Sequence, residues 1–191
     1  SLENDLFGGG TDKHYTSGVR LTWFNTGFEV PEMLERLDDV LPTVDFNETT
    51  STFYTLGQNI FTPEDITIRA PQNDDRPYAG FLYASAGLLT LDDNHIDEVE
   101  LTLGVVGPEA LGEQTQKAIH RHLSGSRIPK GWSNQLEFEP GVILSLQRRW
   151  PRALYQDFGD FRFRTEPNVN LSLGNIYTYA GTGLAFTFGP Y

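Results

Sequence analysis

The chain has 191 residues, with 14 Lys and Arg against 26 Asp and Glu and a formal net charge of -12. A balance this acidic disfavours general nucleic-acid binding, which works by neutralising phosphates with Lys and Arg. The absence of cysteine excludes disulfide scaffolds, cysteine–zinc sites, iron–sulfur clusters and thiol nucleophiles, and 13% aromatic residues argue against disorder. The sequence opens at Ser1 without a basic or apolar leader, so either a signal peptide has been removed or the chain has been cut.

In chain order, a short strand around Leu2–Phe7 leads through Gly8-Gly9-Gly10 to weak alternation at Gly18–Thr26. Pro31–Val40 is a candidate short helix, bounded by Pro31 and Pro42. Weak alternation returns at Thr52–Phe61 and Gly80–Leu91, followed by the tight connection Asp92-Asp93-Asn94. In Glu98–Val106, Val99, Leu101, Leu103 and Val105 share one face, against Glu98, Glu100, Thr102 and Gly104. Pro108–Leu123 breaks the period. Proline stands near its start, Glu109 and Glu113 come early, and Lys117, Arg121 and His122 come late, an order that suits a helix dipole. Ala110, Leu111, Ala118, Ile119 and Leu123 give that helix a partial apolar stripe, and Ser124–Ser133 reads as loop.

Gln135–Arg148 then sets Leu136, Phe138, Pro140, Val142, Leu144 and Leu146 against Glu137, Glu139, Gly141, Ile143, Ser145 and Gln147. Phe161–Gly174 sets Phe161, Phe163, Val169, Leu171 and Leu173 against Arg162, Arg164, Glu166, Asn168, Asn170 and Ser172. Tyr177–Phe188 is the last alternating run, making about eight strands in one domain. No run approaches the roughly 18 apolar residues of a membrane-spanning helix, but transmembrane barrels hide their hydrophobicity in alternation. Alternation alone fits a soluble barrel or sandwich that binds a ligand equally well. Strand length favours an antiparallel up-and-down transmembrane β-barrel, because several runs reach the roughly 9–11 residues a tilted strand needs to cross a bilayer. Glu98, Glu100, Arg162 and Arg164 would then face a polar lumen.

Candidate chemistry is sparse. Gln116 and His120 lie four residues apart, on one helix face, so His120 is a plausible general base. A lone surface histidine is more often inert, and His14, His95 and His122 compete with it on equal terms. Asn4, Asp5 and the oxygens of Thr11–Ser17 are hard ligands suited to calcium, although the same residues build tight turns. The spacing is neither an EF-hand nor a phosphate loop, no zinc spacing occurs, and G-x-S-x-G is missing. An activated water is therefore a better nucleophile than serine here. Lys117, Arg121, Arg127 and Lys130 form a local basic cluster, either a solvated face or a grip for phosphates.

Together the segments Glu3-Asn4-Asp5, Thr11-Asp12, Tyr15-Thr16-x-Gly18, Asp75-Arg76-Pro77-Tyr78-Ala79-Gly80, Gly104-Val105-Val106-Gly107-Pro108, Gln116-x-x-x-His120 and Trp132-x-x-Gln135-Leu136 resemble one family. It is the family of outer-membrane lipid A deacylases that remove the 3′-acyloxyacyl group. The resemblance implies a twelve-stranded barrel in the outer membrane of a Gram-negative bacterium, with lipopolysaccharide as substrate and Ca2+ as cofactor. It implies that His120 activates water, with Gln116 orienting it. Asn4, Asp5 and Thr16 would line the site, and Asn4 and Asp5 would hold the calcium. Where the family has a lysine this sequence has Ile68-Arg69, so Arg69 is the candidate replacement, and Lys117 and Arg121 are candidate substrate contacts. Members are longer, so strands beyond Tyr191 are expected. The competing expectations are a non-catalytic barrel on the same scaffold and a soluble ligand-binding barrel.

Overall fold

A computed structural model of the chain describes the backbone at 2–4, 14–25, 47–121 and 127–190, with side chains from residue 18 on. The expected helix at 31–40, Asp5, the Gly8–Asp12 turn and His122 lie outside these described residues. The described strands are β1 (Leu2–Asn4), β2 (His14–Asn25), β3 (Ser51–Thr62), β4 (Ala79–Leu91), β5 (Ile96–Val106), β6 (Glu139–Arg149), β7 (Leu154–Phe158), β8 (Phe161–Gly174) and β9 (Tyr179–Pro190). From β1 to β6 each strand hydrogen-bonds its neighbour in sequence, and β8 then carries β6, β7 and β9.

The alternation is present, and its polarity is reversed from that of a water-soluble sheet. On β5, Leu103 is 54% exposed while Thr102 is 7% exposed. On β8, Leu173 is 51% exposed and Ser172 3%. The sheltered positions along the strands are largely Thr, Ser, Asp and half-buried charges, as a membrane barrel's inward face requires. Among the described residues, no helix is long and apolar enough to cross a membrane.

Eight strands are expected and nine are described, because Leu154–Phe158, between the expected runs Gln135–Arg148 and Phe161–Gly174, forms a short strand that the alternation does not show. β6 and β7 both pair β8, through Arg149↔Asn168 and Leu154↔Thr165, with Trp150–Ala153 between them. Pro167 explains the break. The Trp150 amide donates to the Pro167 carbonyl at 3.0 Å, but proline has no N–H to return. The Trp150 carbonyl accepts from Ala153 at 3.3 Å instead, and the chain turns out of the ladder. Phe158 and Phe161 then close a two-residue hairpin, with Gly159 at φ 67 in its first central position.

The chain forms two compact units. One comprises Ser1–Thr22, Thr55–Ala84 and Leu103–Gly141, and the other Trp23–Tyr54, Ser85–Thr102 and Val142–Tyr191. The second is built on polar contacts, among them Thr50–Thr90 at 2.9 Å and Ser145–Ser172 at 2.9 Å. There Arg148 grips Asp97 with two hydrogen bonds of 2.6 Å, and His95 lies 3.3 Å from the same carboxylate. The first unit has an apolar cluster of Ile60, Ile66, Tyr78 and Trp132, and it carries the helix.

Candidate active site

The helical segment differs from a single amphipathic helix over 108–123. Pro108–Ala110 is a 3₁₀ turn, Leu111 is left-handed at φ 58, and α1 runs Gly112–Ile119 before a wider turn at 120–121. Of the expected apolar stripe Ala110 is fully buried and Ile119 half-buried, but Leu111 is 49% exposed, Ala118 is exposed, and Leu123 lies outside the described residues. The buried stripe is Gly112, Gln116 and His120, spaced by four. Glycine at 112 permits the close approach, since a Cβ there would stand 3.1 Å from Gly80 Cα of β4 and 2.7 Å from the Trp132 ring.

His120 is 3% exposed, and its Nδ1 lies 2.7 Å from the Arg127 carbonyl oxygen. A carbonyl only accepts, so Nδ1 carries the proton and the neutral ring's lone pair is on Nε2. Gln116 is 1% exposed. Its Oε1 accepts from Trp132 Nε1 at 2.8 Å, which fixes the amide, and its Nε2 has no hydrogen-bond partner among the described residues. The ring of His120 is therefore oriented by a backbone carbonyl, while Gln116 is oriented by Trp132. Sequence reasoning assigned Trp132 no role, and Arg127 Cα carries a carbonyl no side-chain pattern advertises.

The loop that holds these partners is strapped to the segment before β4. Lys130 N donates to Ile66 O at 2.9 Å, and Leu136 N to Tyr78 O at 2.9 Å. The Tyr78 hydroxyl donates to Ile66 O at 3.1 Å, and the Tyr78 and Trp132 rings pack with centroids 5.0 Å apart. A short 3₁₀ turn at Trp132–Asn134 replaces part of the expected loop, and 122–126 lie outside the described residues.

Of the other expected residues, Asn4 pairs with Ser17 in the β1–β2 ladder, which sets its backbone beside the Thr16–Ser17 step. Amide, carboxylate and hydroxyl oxygens from Asn4, Asp5 and Thr16 are a donor set that fits a hard dication. Among the described residues, no cluster of His, Asp or Glu could hold a metal elsewhere. Lys117 is ion-paired with Glu113 one turn away, whereas Arg69 and Arg121 are exposed. Asp65 is held below the ordinary carboxylate range by the Thr67 hydroxyl and amide, with the Arg127 charge adding to the effect. His95, the competing base, is engaged with Asp97.

The model of the outer membrane protein LpxR family matches residues 1–191. The chain belongs to this family. Its fold agrees: the structure of LpxR from Salmonella typhimurium superposes with a TM-score of 0.75 at 20% identity, covering 99% of this chain and 62% of that one. The family membership and this fold place the protein in the outer membrane, as a β-barrel protein. The chain thus spans 62% of the length of that relative. No curated protein matches it.

Proposed function

We propose that the protein hydrolyses the 3′-linked acyloxyacyl ester of lipid A, using water activated by His120. The observation that carries this reading is a buried histidine whose Nδ1–H is held by the Arg127 carbonyl, directing its basic nitrogen elsewhere. Membership of an outer-membrane family and the resemblance to lipid A deacylases supply the substrate class.

In this reading Nε2 of His120 takes a proton as water adds to the acyl carbon. The Arg127 carbonyl steadies the imidazolium that forms, since Nδ1–H already donates to it. When the tetrahedral intermediate collapses, the ester C–O bond breaks and the proton passes from Nε2 to the departing sugar oxygen. The acyloxyacyl acid leaves and releases its remaining proton to solvent to become the carboxylate. Gln116 Nε2, a buried donor without a partner among the described residues, is available to a substrate oxygen. Calcium bound by Asn4, Asp5 and Thr16 would polarise the ester carbonyl and stabilise the developing oxyanion.

Mass spectrometry of lipid A after incubation with calcium and each variant tests the assignment. His120→Ala is expected to lose at least about 10²-fold in turnover, the lower range for a positioned general base. His95→Asn is the control and keeps activity. Full turnover in His120→Ala would remove the histidine from the reaction.

A further inference from the structure

The segment Asp75-Arg76-Pro77-Tyr78 holds more chemistry than the ester site uses. Asp75 accepts the amides of Glu64 at 2.8 Å and Arg76 at 2.7 Å, which fixes the local turn. Tyr78 turns inward to Trp132. Between them Arg76 is exposed and makes no ion pair among the described residues. It lines a cavity of about 290 Å³, close to the lower end of small-molecule sites.

The rest of the lining is specific. Gln72 donates its Nε2 to the Asp65 carbonyl at 2.9 Å, and Asn134 donates its Nδ2 to the Arg69 carbonyl at 2.7 Å. Both amides are thereby held, each with its oxygen as the remaining acceptor. Pro63, Pro71 and Pro77 supply flat apolar walls. A bare inorganic anion has no use for proline walls, and an apolar ligand has none for a guanidinium with held amides. A sugar ring bearing a phosphate or carboxylate uses all three: the fork for the anion, the amides for hydroxyls and the prolines for its C–H faces.

The cavity also adjoins the ester site. Gly131 and Asn134 line it, and Trp132 between them bonds Gln116, one turn from His120. We infer that this cavity takes an anionic sugar from the head group of the same lipopolysaccharide whose lipid A is cleaved, an inference that rests on the deacylase reading. The cavity makes the protein prefer core-bearing substrate over bare lipid A.

Two measurements on the protein in detergent micelles test it. Calorimetric titration with delipidated core oligosaccharide should show binding that weakens about tenfold or more in Arg76→Ala, with Arg76→Lys intermediate. In hydrolysis assays, Arg76→Ala should raise KM for core-bearing lipopolysaccharide about tenfold more than KM for core-free lipid A. Unaltered oligosaccharide binding in Arg76→Ala, or equal KM changes on both substrates, would overturn the inference. So would displacement of the oligosaccharide by inorganic phosphate at matching affinity, which would leave an anion site without a sugar. Arg76-dependent oligosaccharide binding by a protein that cleaves neither substrate would support the cavity and sink the deacylase reading.

Discussion

Removing the indole N–H of Trp132 tests how the site is held. Trp132→Phe keeps a ring against Tyr78 and Gly112 but deletes the Nε1–H that bonds Gln116 Oε1 at 2.8 Å. The Gln116 oxygen is then buried and bare beside an Nε2 that already has no partner among the described residues. Leaving such a group unsatisfied costs about 1–3 kcal/mol. Gln116→Leu acts differently: it bares the Trp132 N–H but also removes the orphaned Nε2, so the two changes offset to within about 1 kcal/mol. The double variant Trp132→Phe/Gln116→Leu leaves no bare polar group and is expected to be more stable than Trp132→Phe alone. Guanidinium unfolding in micelles, followed by far-ultraviolet circular dichroism, gives the order. All three variants should lose lipid A hydrolysis, because the amide is gone or no longer fixed. A double variant less stable than Trp132→Phe would refute the reasoning, as would a Gln116→Leu variant with normal turnover.

Two further outcomes follow from neighbouring geometry. Gly112→Ala gains up to about 1 kcal/mol of helix propensity, but its Cβ would meet the Trp132 ring at 2.7 Å and the Gly80 backbone at 3.1 Å. Overpacking of about 1–3 kcal/mol wins, so thermal unfolding should move down and kcat should fall as the Gln116–His120 stripe shifts. Asp97→Asn breaks a pair in which the carboxylate side chain is 4% exposed and Arg148 28%. Losing a fully buried partner costs about 3–5 kcal/mol; partial exposure of Arg148 cuts this to roughly 2 kcal/mol. Denaturant midpoints should show that loss with hydrolysis retained.

The strands were legible because period-two alternation survives in any environment. Which face is sheltered was not, since Leu101 and Leu103 against Glu100 and Thr102 read the same in water and in lipid. Only strand length and the family resemblance pointed to the answer. The break between β6 and β7 depends on register: Pro167 interrupts β6 only because it falls opposite Trp150, a pairing across the sheet that local sequence does not encode. The Gln116–His120 face was visible at spacing four. Its partners were not, because Arg127 contributes a carbonyl and Trp132 arrives from a loop strapped by backbone bonds. Asn4, Asp5 and the oxygens of Thr11–Ser17 suit either calcium or a tight turn on residue type, and only the resemblance singled out Asn4, Asp5 and Thr16, to which the structure adds the Asn4↔Ser17 register.

A helix that buries glycine, glutamine and histidine contributes little to its own docking. An orphaned donor at Gln116 makes this worse by about 1–3 kcal/mol. The neighbouring apolar cluster decides whether the arrangement holds. Burying a tryptophan removes about 150–250 Å² from water, which at about 25 cal/mol per Å² is about 4–6 kcal/mol. Trp132 is 1% exposed and packs with Tyr78, Ile60 and Ile66, so its burial exceeds the cost of the orphan. The same residue therefore anchors the loop through its ring and fixes the amide through its N–H. That coupling explains why the polar stripe can face inward: stability comes from the strap beside the helix, and the helix is left free to present chemistry. Natural proteins depart from well-satisfied packing chiefly at functional sites, and this helix buries, one turn apart, a donor without a partner among the described residues and a histidine with a fixed tautomer.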